Sequence, residues 1–166
     1  MKQIAAAALL IALAACSKSG SGASPAAAPD AGHANVASAS PPSGSVCDRK
    51  LITVADIPPL LKGAITSGPM AGDPQSCIFS SGDYQVTVAL RPGLGDVTVK
   101  TVLAGGENVS ATALPGVGDK AAWTPSLHEV NASKNNLLCD IQASGGGGDV
   151  TPQTVGALCN KIFAAN

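Results

Sequence analysis

The chain of 166 residues sets 10 Lys and Arg against 11 Asp and Glu, a net charge of −1, and its basic residues are scattered. That balance excludes the clustered positive footprint that nucleic acid demands. Only Phe79, Tyr84, Trp123 and Phe163 are aromatic, too few for base stacking or an aromatic sugar-binding platform.

The N-terminal run begins with Met1-Lys2 and continues through Ile4, alanines, Leu9, Leu10, Ile11 and Leu13. A charged start, a short apolar stretch and small residues at its close are the layout of an export signal. The run is shorter than the about 20 apolar residues needed to cross a bilayer. It ends in Leu13-Ala14-Ala15-Cys16, which resembles the lipobox of bacterial lipoprotein signal peptides. The resemblance implies that residues 1–15 are removed and that Cys16 becomes the mature N-terminus, carrying acyl chains such as palmitate. The alternative is an ordinary secretory signal with a chance cysteine. Ser17 resembles the default outer-membrane sorting position of double-membraned bacteria. The expected location is therefore the cell envelope, at an outer membrane facing the periplasm if the host has two membranes.

Residues 16–46 read as a flexible tether. Beyond Cys16 they hold no Leu, Ile or aromatic residue, and only Lys18 and Asp30 are charged among Ala, Ser, Gly and Pro. Such a stretch cannot bury enough apolar surface to offset its ordering entropy, and His33 within it reads as spacer. Residues 47–166 read as one small globular domain. With so few large side chains its core is thin, and crosslinks would help it. Cys47, Cys77, Cys139 and Cys159 form an even set in an exported chain, as a disulfide framework requires. Three connectivities are open. Cys47–Cys77 with Cys139–Cys159 is favoured, because each joins segments near one another in the chain. No Cys-x-x-Cys spacing and no histidine near these cysteines supports a metal site, and no cofactor is implied.

A short helix is expected after Asp56, with Pro58 and Pro59 in its first turn, Leu60 and Leu61 packing and Gly63 ending it. Residues 76–80 and 84–91 form a hairpin about Ser81-Gly82-Asp83. Tyr84, Val86, Val88 and Leu90 share its buried face. Residues 96–104 are ambiguous: β-branched content favours strand, but Asp96 as N-cap and Gly105-Gly106 as stop favour helix. Helix is the reading adopted. Strands follow at 120–124, 127–131 and 136–143, the last two joined at Ser133-Lys134-Asn135. Residues 145–148 read as a loop, flexible by composition. The final helix is the clearest element. Thr151 caps it, Pro152 suits its first position, and Val155, Leu158, Cys159, Ile162 and Phe163 form one stripe. The fold class is α+β: an antiparallel sheet of about five strands, two or three helices on one face, and two disulfides.

Little in the chain carries chemistry. Gly116-Val117-Gly118-Asp119-Lys120-Ala121 matches a relaxed dinucleotide pattern but lacks a strand before it and a helix after it. A tight turn entering a strand is the better reading. His128 and Glu129, as strand neighbours, would point to opposite faces. Asp119, Asp140 and Asp149 are separated, and no nucleophile elbow, phosphate loop or metal-binding helix motif occurs. The early cysteine, the Ser76-Cys77-Ile78-Phe79 strand and the Leu114-Pro115-Gly116-Val117-Gly118-Asp119-Lys120-Ala121-Ala122-Trp123 stretch resemble uncharacterised families of small secreted bacterial lipoproteins. That resemblance spans about residues 47–164 and implies no catalytic residues. The expected function is a non-enzymatic envelope module, tethered to the membrane through Cys16 and binding an envelope protein or cell-wall component. The alternatives are a small inhibitor of a cell-wall hydrolase or protease, its rigid loop at 145–148 with Asp149, and a hydrolase with dispersed residues.

Overall fold

The computed structural model describes residues 44–106, 109–145 and 147–166. The expected signal peptide, the lipidation site Cys16 and the tether as far as residue 43 lie outside the described residues. Ser45 and Val46 are buried. The Ser45 hydroxyl and amide both donate to the Asp48 carboxylate, at 2.7 and 3.0 Å.

The elements follow in chain order as β1 (Thr66–Met70), β2 (Asp73–Ser81), β3 (Tyr84–Pro92), α1 (Gly95–Leu103), β4 (Thr112–Ala113), β5 (Lys120–Thr124), β6 (Glu129–Lys134), β7 (Leu137–Ser144) and α2 (Pro152–Ala165). The strands form a seven-stranded sheet in the order β1-β2-β3-β7-β6-β5-β4, with every neighbouring pair antiparallel. The α+β class holds, but the expected five strands become seven. Edge strand β1 has no alternation to reveal it, because Gly68 and Pro69 occupy its centre. Proline is tolerated there because an edge strand need not donate on both sides. Edge strand β4 is two residues long, below what periodicity can register.

The pleat assigns side chains alternately to two faces. On one face Cys77, Phe79, Val86, Val88, Trp123, Val130, Cys139 and Ile141 are buried in a single core with the α2 stripe and with Val46, Ile52, Ile57, Leu60 and Leu61. Ala122 and Leu138 lie on the opposite face, and α1 buries Val99 there. The helices therefore cover opposite faces of the sheet, not one. The expected helix after Asp56 is replaced by a 3-10 turn, Val54–Asp56, and one further turn in which Leu60 and Leu61 donate to the Ile57 carbonyl. Two successive prolines leave too few amides there for a longer helix.

The disulfides join Cys47 to Cys77 and Cys139 to Cys159, with Cα–Cα separations of 5.6 and 5.8 Å. The favoured connectivity is the one present. The second bond clamps α2 to the central strand β7, and the first ties the N-terminal segment to β2.

Strand β6 begins two residues later than its expected start, because 125–128 form a turn in which His128 takes φ 48°. The β6–β7 loop is Asn135-Asn136, with φ 52° and 59° and Lys134 paired to Leu137. Two left-handed residues match the right-handed strand twist.

Candidate functional site

The end of the sheet where β3, β6 and β7 meet opens into a pocket of about 530 Å3. Strand β3 delivers Leu90, Pro92 and Gly93 to it, and the β6–β7 hairpin delivers Lys134, Asn135 and Asn136. The last turn of α2 supplies Phe163, and the segment held by the Cys47–Cys77 bond supplies Arg49. The hairpin is fixed in place because the Asn136 carbonyl accepts from the amides of Gly93 and Gly95 at 3.0 and 3.2 Å. The Arg49 guanidinium donates to the side-chain oxygen of Asn166. Of the ionisable side chains lining the pocket, Arg49 and Lys134 are both cationic.

A second, larger concavity of about 860 Å3 runs between α1 and the 113–121 segment. Val97 and Leu103 are exposed along it, at 57% and 41% of their full surface. Its rim mixes signs: Asp96 and Asp119 stand with Lys100 and Lys120. Asp96 accepts from Ser133 Oγ at 2.7 Å, and Asp119 accepts from the Asn135 amide at 2.8 Å.

A polar network occupies the sheet face that α1 only partly covers. Arg91 bridges Asp73 at 2.6 Å and Asp140 at 3.2 Å, while Ser76 Oγ donates to Asp73 at 2.6 Å. Asn131, paired across the strands with Asp140, donates to Glu129 at 2.6 Å. Burial, then the nearby Glu129 charge, pushes Asp140 up to about 6 in spite of Arg91. Asp73 is held below the ordinary carboxylate range, chiefly by the Ser76 hydroxyl and then by Arg91. These carboxylates line neither concavity. Their geometry is that of an internal ion-pair network, which perturbs titration without chemistry.

The residues singled out in the sequence do not converge. Asp119 holds a hairpin turn, and His128 is exposed on a turn with its ring centroid 6.3 Å from that of Trp123. His128 and Glu129 are not strand neighbours, since β6 starts at Glu129. The 116–121 motif is a turn entering β5, as expected. Gly118 sits at φ 55°, where a Cβ would collide with the Ser133 carbonyl. The end of the expected 145–148 loop is less free than its glycines imply: a Cβ on Gly148 would meet the Leu60 backbone, and the Asp149 amide donates to the Pro59 carbonyl at 2.8 Å. Arg49 and Lys134 carried no sequence signal, because 85 positions separate them and only the sheet end brings them together.

Comparison with protein-family models, curated proteins and solved structures finds no match to this chain.

Proposed function

We propose that the protein is a lipid-anchored, non-enzymatic binding module of the cell envelope, tethered through Cys16 and recognising an envelope component. The observation that supports this reading is the pocket at the sheet end, built from the N-terminal segment, β2, β3, the β6–β7 hairpin and α2, and carrying side-chain charge of one sign. Concave sites with a few convergent polar groups on an apolar wall are where small ligands and chain ends are held. Asp119 and His128 are respectively engaged in a turn and exposed on one. The inhibitor alternative needs a rigid exposed loop, whereas Gly148 and Asp149 pack against Pro59 and Leu60.

Three measurements test the proposal. Metabolic labelling with a fatty-acid analogue is expected to mark the wild type and not Cys16→Ser; equal labelling of both removes the anchor. In-cell crosslinking from a photoreactive residue at Asn135 is expected to capture an envelope component. Turnover of a hydrolase substrate panel, abolished by Asp119→Asn or His128→Gln, would replace the binding reading with catalysis.

A further inference from the structure

We infer that the pocket at the sheet end binds an anionic amphiphile, a carboxylate or phosphate group carried on a short apolar body. This inference rests on the binding-module reading and names the ligand class of its site.

The charge comes first. Arg49 and Lys134 both line the pocket, and no Asp or Glu does. Among the described residues neither cation lies within 4.0 Å of a carboxylate, that of Asn166 included, whereas Arg91 and Lys161 are both paired. Helix α2 ends at the pocket, and its last carbonyls bring about half a negative charge. The Asn166 carboxylate adds a full negative charge, and two full positive charges still outweigh the sum. A guanidinium presents a planar fork that matches a carboxylate or phosphate, and an ammonium adds an adaptable point charge. The carboxamides of Gln75, Asn135 and Asn136 supply further donors to the rim.

The wall is different in kind. Leu90, Pro92, Leu137 and Phe163 contribute apolar surface to the lining. A bare inorganic anion would leave that surface wet, and a neutral hydrocarbon would leave the cations without a partner. A ligand with both parts uses both. The larger groove beside α1 makes no comparable selection, because its rim carries both signs.

The test uses the full chain carrying Cys16→Ser, which removes the acylation site and keeps the domain. Octanoate and octyl phosphate are titrated by calorimetry against octanol and inorganic phosphate. The two charged amphiphiles are expected to saturate the protein with affinities about tenfold or more above either control. Arg49→Gln with Lys134→Gln is expected to weaken octanoate by about tenfold or more at an unchanged melting temperature. Lys100→Gln, in the other groove, is expected to leave it unchanged. Octanol binding as tightly as octanoate, inorganic phosphate matching octyl phosphate, or no saturable binding would each overturn the inference. So would equal weakening by Lys100→Gln. Lipid labelling and crosslinking of the wild type are read separately, so failure here leaves the anchor and the partner reading standing.

Discussion

The two faces of the sheet solve the same burial problem differently. The α2 face is predominantly apolar, is sealed by a helix with its own cap, and is crosslinked by both disulfides. The α1 face buries Val99 against a sheet that also holds Asn131, Ser133 and Thr124, and beyond α1 it gives way to the Arg91 network. Among the described residues no fully buried side-chain nitrogen or oxygen lacks a partner. One pleat thus carries a core on one side and a satisfied polar layer on the other. Apolar burial is concentrated on the first, and the raised carboxylate Asp140 lies on the second.

The largest test of that contrast is packing. Phe79→Ala removes a fully buried ring from the α2 face and is expected to cost about 3–5 kcal/mol in denaturant unfolding. Val99→Ala, the matching truncation under α1, is expected to cost about 2 kcal/mol. Equal losses would mean that the faces contribute alike.

Next come the crosslinks. Cys139→Ser and Cys159→Ser are each expected to cost about 2–4 kcal/mol, with the double variant little worse than either. Additive losses measured by the same unfolding assay would show that the two sulfurs act independently.

The pH dependence should separate the faces. Asp140 titrates at about 6 in the folded chain against an ordinary 3.8, so between those values the native state holds the extra proton. Its contribution is full below 3.8 and is lost as pH rises through about 6. Asp73 and Asp56 are shifted downward, Asp56 chiefly by its bond to Lys161. Their contribution is present above the ordinary value and is lost as pH falls. The melting temperature is therefore expected to peak near pH 3.8 and to decline from there to about pH 6. Asp140→Asn should flatten the alkaline side of that peak by at most about 3 kcal/mol. An unchanged slope would break the assignment.

The smallest effect lies at the helix ends. In α2 the Thr151 hydroxyl accepts from the Thr154 amide at 3.2 Å. Helix α1 has no such local cap; instead Asn136 accepts from the Asp96 amide at 3.1 Å from across the β6–β7 hairpin. Thr151→Ala and Asn136→Gly are each expected to cost about 1 kcal/mol by thermal unfolding. Only the second should also perturb the amide signals of Gly93 and Gly95.

Much of the α2 face was legible in the chain. The alternation of β3, the cap and stripe of α2, and the pairing of cysteines close in sequence are local patterns that burial reinforces. Helix α1 was legible only as an ambiguity, because Val97, Val99 and Val102 suit a strand while Asp96 and Gly105 suit a helix. Packing of Gly95 and Val99 onto the sheet decided it. Strands β1 and β4 were invisible, since an edge strand can be proline-bearing or two residues long and still pair.

The sequence by itself determined the fold class, the hairpins, the last helix and the favoured crosslinks, because each depends on residues near one another in the chain. It also carries the pattern that reads as an export signal and the resemblance at Cys16. Only the tertiary structure decided which face each helix covers, that Asp73, Arg91 and Asp140 meet, and that Arg49 and Lys134 share a pocket. Those juxtapositions depend on the strand order, in which β7 returns beside β3. Strand order is set by long-range pairing, which no local periodicity encodes.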